Sequence, residues 1–406
     1  MGNTLVTSSI VAEESLAVLE NMLTFGSAVN RKWEDTFQSA AAAGYKPGQT
    51  ISVKKPPRYT YRAGRVAAPQ DTVESSVPIT LSQGGCDMSF TAAERTLTLS
   101  DLEGKLTAAL ATVANQIDEQ GLSLAHYASH AVVNPAGALP TTQAAALQVI
   151  TDANVLLDER GAPRKDRNRS LIMNPKLNGA ALQGLAGLLN PSGKLGQQYE
   201  SGMMVDSLGL NIAMDQNVDV HTNGTQNVGG TNVSGAGQSG AAITVVGLGG
   251  TITRGTVVTF PGCYAVNPQT RKTTGSLAQF VITADLIAGA TSLPISPAIV
   301  LTGAFQNVSA APTTGSPFLI LGAAGPTGVY ATNIAFHKDA FTLAMAPLWT
   351  PPSKNVVSVS QKTHNGFTIR VLEYYDGKND ESVMRLDVLF GWAATYPELS
   401  AKIYTV

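Results

Sequence analysis

Residues Thr251–Asp285 read TITRGTVVTFPGCYAVNPQTRKTTGSLAQFVITAD, and only Arg254, Arg271, Lys272 and Asp285 among them carry charge. The apolar runs are short, β-branched and broken by Gly and Pro, as in Thr256–Phe260, TVVTF, and in AITVVGL just upstream. That pattern makes the strands of an all-β barrel or sandwich. Moving outward, residues 217–335 hold five charged residues in 119, against 51 in the other 287. A shift of that size marks a separate module, in which 223–240 reads as a flexible Gly/Ser/Asn loop.

The flanks carry a different signal. A helix is expected over Ser9–Phe25, with Val11, Leu16, Leu19 and Leu23 near helical spacing. Ser100, Asp101, Leu102 and Glu103 form a capping box, in which a hydroxyl and a carboxylate satisfy the free amides of a helix start. Leu102, Leu106, Leu110, Val113, Ile117 and Leu124 continue from it as a long spine helix. Between these helices Ile51 and Val53, then Val77, Ile79 and Leu81, alternate with polar residues or proline, so two strands face each other across a tip at Arg62–Ser76. A hairpin rich in Pro and charge projects rather than packing fully. Thr141–Arg160 is a helix stopped by Gly161 and Pro163, and Asn174 with Pro175 opens another carrying Leu177, Ala181, Leu185 and Leu188. Phe367–Val371 and Met384–Trp392 alternate around a turn at Asp376 and Gly377. With α+β material on both sides, the charge-poor module is an insertion.

The chain has 406 residues, 44% hydrophobic and 14% charged, with a formal net charge of -2. It therefore has no overall basic field of the kind that concentrates nucleic acid, and any such contact must be local. No secretory signal is read, since the first basic residue is Arg31 and Glu13, Glu14 and Glu20 interrupt the start. No charged residue lies between Leu286 and Phe336, but five prolines break that stretch before it could span a membrane. Two cysteines, Cys86 and Cys263, imply neither a disulfide framework nor a metal knuckle.

Most candidate chemistry fails on context. Gly235–Gly240, GAGQSG, matches a dinucleotide-binding glycine pattern, yet a loop precedes it and a strand follows, where a cofactor needs a helix N-terminus. His126 and His130 share a helix face at i, i+4 spacing, but no third ligand is indicated and partners of the helix dipole explain them as well. Asp158 with Glu159 and Asp380 with Glu381 sit where solvated faces are ordinary. No catalytic, cofactor or metal residue is assigned, and no enzyme activity is expected.

One feature remains. The ribbon 46–65 carries six basic residues and no acid, with Tyr59 and Tyr61 set among them. As a nucleic-acid site its rings would stack bases and its cations neutralise phosphates. As a protein contact it would meet an acidic patch on a neighbour. It could equally be a solvated hairpin doing neither.

The order of elements resembles the major capsid proteins of tailed double-stranded-DNA phages, which share the Hong Kong 97 phage fold. The insertion quoted above, with VDSLGLNIAMDQNV (Val205–Val218), AFHKDAFTLAMAPL (Ala335–Leu348) and RLDVLFGWAATYPELSAKI (Arg385–Ile403), resembles the short-tailed Salmonella-phage coat type. The resemblance implies an α+β fold with an inserted β-barrel. Its parts would be an N-terminal arm (1–44), an E-loop hairpin (45–96), a spine helix and peripheral domain (97–140) and an axial domain (141–216). The barrel (217–335) and a return to the axial and peripheral domains (336–406) would follow. It implies that Lys54, Lys55, Arg58, Tyr59, Tyr61, Arg62 and Arg65 contact a neighbouring subunit, and Glu13 and Glu14 are candidate contacts for a scaffolding protein. The implied partners are further copies of the chain in hexamers and pentamers, a scaffolding protein, a portal protein and packaged double-stranded DNA without sequence specificity. No membrane partner or cofactor is implied. The shell would assemble in the bacterial host cytoplasm, and the location would be the virion capsid.

Overall fold

In a computed structural model of the chain, the described residues are 19, 23–31, 50–55, 57–62, 64–66, 69–72, 75–97, 102–185, 208–226, 231–322, 328–352, 357–364 and 367–406. The expected helix over Ser9–Phe25, the scaffold candidates Glu13 and Glu14, and Ser100 and Asp101 of the capping box lie almost wholly outside them. The elements run α1 (Phe25–Ala28), β1 (Thr50–Lys55), β2 (Ser75–Thr80), β3 (Ser82–Thr91), α2 (Ala92–Leu97), α3 (Leu102–Ala128), β4 (Val132–Val133), α4 (Gln143–Glu159), β5 (Arg169–Met173), α5 (Pro175–Leu185), β6 (Asn211–Met214) and β7 (Val220–Thr222). There follow β8 (Gly240–Thr244), β9 (Val257–Val266), β10 (Thr273–Ile282), β11 (Ser292–Ile299), β12 (Leu319–Leu321), β13 (Val329–His337), β14 (Phe341–Met345), β15 (Ser358–His364), β16 (Phe367–Asp376), β17 (Glu381–Ala394) and β18 (Ser400–Thr405). The chain divides into two compact units, one of 1–53, 76–121 and 341–393, the other of 54–75, 122–340 and 394–406.

In the first unit, β14, β17, β16 and β15 lie in that order, with β3 also paired to β17. The expected C-terminal hairpin is β16 and β17, in register from Arg370 with Asp387 to Asp376 with Glu381. The sequence reading did not anticipate β3, which contains Gly84 and Gly85, residues that weaken a strand. Yet β3 runs beside β17 from Ser82 with Phe390 to Thr91 with Glu381. A Cβ on Gly85 would lie 2.3 Å from the Leu386 carbonyl oxygen, so the partner backbone itself demands glycine there. A capping box does start α2: Thr91 N donates to Glu94 Oε2 at 3.0 Å, and Glu94 N to Thr91 Oγ1 at 3.2 Å.

The spine helix, α3, is 27 residues long. Its Asp118, 2% exposed, accepts from the amides of Thr24 (2.6 Å), Phe25 (3.2 Å) and Gly26 (2.8 Å) at the start of α1. One carboxylate thus satisfies three donors that a helix N-terminus leaves open. Phe25 in turn stacks on Trp392 at 5.2 Å, and the Trp392 indole donates to the Ile117 carbonyl at 3.1 Å. The two rings lie so close to α3 that a Cβ on Gly121 would meet Trp392 at 2.6 Å and Phe25 at 2.8 Å.

In the second unit a six-stranded sheet follows the order β4, β18, β13, β5, β6, and β7 also pairs with β13. The β13 ladders are antiparallel, while β4 with β18 and β5 with β6 are parallel. Helix α4 starts at a Thr142 cap, whose hydroxyl accepts from Ala145 N, and Asn174 Oδ1 caps α5 through Leu177 N at 2.8 Å. Ile150, Ala153 and Leu157 of α4 and Leu177 and Ala181 of α5 bury against Leu171, Met173, Ala335 and Ile403 of the sheet.

The insertion is all-β, but the expected closed barrel is not what forms. Its five strands run β12, β9, β10, β11, β8, and no ladder joins β8 to β12 among the described residues. Only single bridges cross the gap, Asn232 to Pro317 and Val233 to Val245. They come from the Gly-rich stretch expected to be a free loop. There Val233 N donates to Ser316 O, and Val246 N to Asn232 O. Phe260, Phe280 and Phe318 meet at tilted angles in the core. Proline, glycine and bulges shorten the pairing, so side-chain packing rather than a continuous ladder completes the module.

Gly121→Ala is expected to lower unfolding stability by about 1–3 kcal/mol through overpacking. Asp118→Ala should cost at least as much, since it strands buried amides. Urea titration of the two variants checks both, and wild-type midpoints would refute this account of α3.

Candidate functional site

The structure splits the basic ribbon into two parts. Lys54 lies in β1. Arg58 pairs with Glu398 at 3.0 Å and sits over the Phe305 ring at 5.8 Å, while Lys55 Nζ lies 5.4 Å from the Tyr396 ring centre. Arg271 of the insertion donates to the Tyr59 carbonyl at 2.9 Å, and the Tyr59 hydroxyl meets Thr72 at 3.0 Å. Across the hairpin, Gln70 Oε1 accepts from Thr60 N at 2.8 Å and Gln70 Nε2 donates to Thr60 O at 2.7 Å. The base of the ribbon is therefore held by its own chain. Its tip is bare: Tyr61 is 91% exposed, Val66 83%, and Arg62 and Arg65 are exposed, with Arg62 donating, among the described residues, only to the nearby Gly64 carbonyl.

Beside the base lies a cleft of about 330 Å³. Leu156, Glu159 and Arg160 of α4 and the loop after it form one side, with Leu277, Pro297, Val300 and Phe305 of the insertion opposite. Lys55, Arg58, Tyr396 and Glu398 lie at the edge, and the buried His130 faces in. Burial lowers the Arg160 guanidinium to about 10 even though Glu398 and Glu159 oppose the shift. Arg160 Nη1 contacts His130 Nε2.

The expected shared helix face does not form, because the spine helix ends at Ala128 and leaves His126 on it and His130 beyond it. His130 has a guanidinium on Nε2, and His126 packs on His221 at 5.0 Å. Among the described residues, no three of His, Cys, Asp or Glu gather to hold an ion. The dinucleotide-like stretch is a turn. Gly235 and Gly237 have φ of +92° and +68°, and Gln238 clamps the loop by donating to Thr244 O and accepting from Thr244 N. These glycines answer a backbone requirement, so Ala there would strain the turn without reference to any cofactor. Cys263 is fully buried, and burial pushes its thiol up to about 12.

Sequence reading missed the most unusual ionisable group, Lys402. It is fully buried and Nζ donates to Gly255 O at 2.9 Å; burial lowers it to about 7, against the opposing pull of Asp219. His126, His221 and Tyr404 lie around it. Burial holds His126 well below its ordinary value, with Lys402, His221 and Arg254 adding to the effect. His130 is depressed in the same way, by burial and then by Arg160 and Lys402. His221 is lowered to about 4 by burial and Lys402, with Asn223 opposing the shift. The alternation around Lys402, Ser-Ala-Lys-Ile-Tyr-Thr, hints at a strand but not at a buried ammonium.

The family model described as "P22 coat protein - gene protein 5" matches residues 79–402. No curated protein matches the chain. Among solved structures, a chain from Mycobacterium phage Che8 aligns at a TM-score of 0.50 and 12% identity, covering 94% of this chain and 90% of that one. A chain of the bacteriophage PhiM1 mature capsid aligns at 0.43 and 9%, covering 88% and 82%.

Above pH 6.5 the imidazoles are neutral in both folded and unfolded chain. Below it the unfolded chain takes up protons that the buried rings refuse, so stability should fall as pH drops from 6.5 towards about 4, where His221 protonates. Replacing His126 by Phe keeps an aromatic ring and should remove about one proton from that slope. Urea midpoints measured across this range test it, and an unchanged slope would contradict the assignment. On the span of the family match and the shared fold, the chain belongs to the P22 coat protein family: it is a phage major capsid protein of the Hong Kong 97 type that forms the virion shell.

Proposed function

We propose that the ribbon 54–65 acts between subunits of the shell, with a fixed base and a free tip. The observation that carries this reading is the contrast between Arg58, paired with Glu398, and Tyr61, Arg62, Arg65 and Val66, which stand exposed on the same hairpin. A tip on an anchored base loses little further freedom when it docks, and its cations favour an acidic patch on the next copy. Lys54, Lys55, Arg58 and Tyr59 then orient the tip, while Tyr61, Arg62 and Arg65 make the contact.

The same reading divides the chain into an N-terminal arm (1–44), hairpin (45–96), spine and peripheral part (97–140), axial part (141–216), insertion (217–335) and return (336–406). Copies form hexamers and pentamers around a scaffolding protein in the host cytoplasm, with Glu13 and Glu14 offered to a basic scaffold segment. A portal protein occupies one vertex, and double-stranded DNA fills the shell without sequence readout. Large repeated interfaces suffice for this work, and no catalytic step is required.

Charge reversal at Arg62 and Arg65 should leave the circular dichroism of the subunit unchanged while closed shells disappear from sedimentation profiles. Shells of normal yield, with DNA retention by isolated subunits lost instead, would favour a nucleic-acid role for the ribbon.

A further inference from the structure

Trp349 is 74% exposed. It lies in the charge-free stretch Leu348–Pro352, LWTPP, whose two prolines restrict the backbone. The backbone at Trp349 is also tied down from below. Its carbonyl accepts from Arg370 Nη1 at 2.5 Å, and Arg370 Nη2 is paired with Asp387, which is 1% exposed. The other Asp387 oxygen is held by Arg385 at 3.2 Å. A large aromatic side chain presented on a fixed backbone is the kind of group that dominates interface energetics, because little entropy is lost when it docks.

The cleft in the second unit supplies a receptor of matching character. At about 330 Å³ it lies near the low end of the roughly 300–1,000 Å³ that hold small ligands, ample for one indole. Its walls are largely apolar, and its ionic groups are three cations, Lys55, Arg58 and Arg160, against two carboxylates, Glu159 and Glu398. A cation-rich rim suits the electron-rich face of an indole. The same rim repels the ribbon tip, where Arg62 and Arg65 flank Tyr61, so charge selects Trp349 between the two most exposed aromatics among the described residues.

We propose that Trp349 of one copy seats in this cleft of a neighbouring copy. The inference rests on the self-assembly reading and adds which surfaces meet. Such a contact joins two different surfaces, so it is heterologous, and repetition closes into a ring when the rotation permits.

The test compares wild type, Trp349→Ala and Trp349→Phe for subunit folding and for shell yield by sedimentation and electron microscopy. Trp349→Ala should stay folded and lose shell yield by at least about tenfold, as a hot-spot truncation does, while Trp349→Phe restores most of it. Independently, Thr350→Cys with Ala298→Cys keeps the indole and brings two thiols together across copies. Oxidised shells of that double variant should yield ladders of linked subunits absent from either single variant. Wild-type yield for Trp349→Ala, or no ladder from the double variant, overturns the inference and leaves the assembly reading intact. Failure of the wild-type chain to form shells in any condition would overturn the assembly reading itself, and this contact with it.

Discussion

The second unit depends on β13 being paired on both edges. It takes β18 on one side and β5 on the other, while β7 joins near its start, so the strand has no free edge over most of its length. Ile334, Ala335 and Phe336 are fully buried as a result. The arrangement also settles how an insertion can be carried. Chain leaves at β7 and returns at β13, whose residues are direct partners, Tyr330 with His221, and Asn223 N donates to Gly328 O at the exit. The 106 residues 223–328 therefore begin and end at neighbouring backbone positions, at little loop-closure cost.

Two cations buried in the second unit, Arg169 and Lys402, are received by backbone carbonyls. Arg169, fully buried, donates to the Pro163 and Ala162 carbonyls, to Asn154 Oδ1 and to Asp158 Oδ1, which stabilises the chain where α4 ends. Lys402 donates to the Gly255 carbonyl and has no carboxylate within ion-pair distance among the described residues, so its ammonium is close to being given up at neutral pH. The difference is physical: a guanidinium spreads its charge over five donors that can all be satisfied, while a compact ammonium in an apolar setting is easily deprotonated. Lys402 and its histidine neighbours thus make the attachment of the insertion sensitive to protons.

Assembly, rather than chemistry, explains the surface. A chain with few charges in its insertion and a net charge of -2 carries no long-range field to steer partners, so the contacts proposed between copies rest on local features: an anchored hairpin with a bare basic tip, an exposed tryptophan on a fixed backbone, and an apolar cleft with a cationic rim. These are features of contact surfaces, where a few anchors carry most of the energy.

Much of this was determined by the sequence alone. The spine helix, the helix start at Asn174, the β16–β17 hairpin and the all-β insertion follow from hydrophobic period, capping chemistry and charge density, all local properties of the chain. Other features depended on distant residues. Gly85 looks like a strand breaker until the Leu386 carbonyl is seen pressed against it, and Gly121 is an ordinary helix glycine until Trp392 and Phe25 fill the space above it. The Gly-rich stretch reads as free loop, yet Asn232 and Val233 find single partners on two strands and take the place of a closing ladder. The cleft gathers residues from four separate stretches, and Lys402 is buried only because α3, β7 and the insertion converge on β18. Local periodicity encodes which element forms; close approach, burial and the perturbation of ionisable groups arise from pairs of residues hundreds of positions apart, and only tertiary packing brings those together.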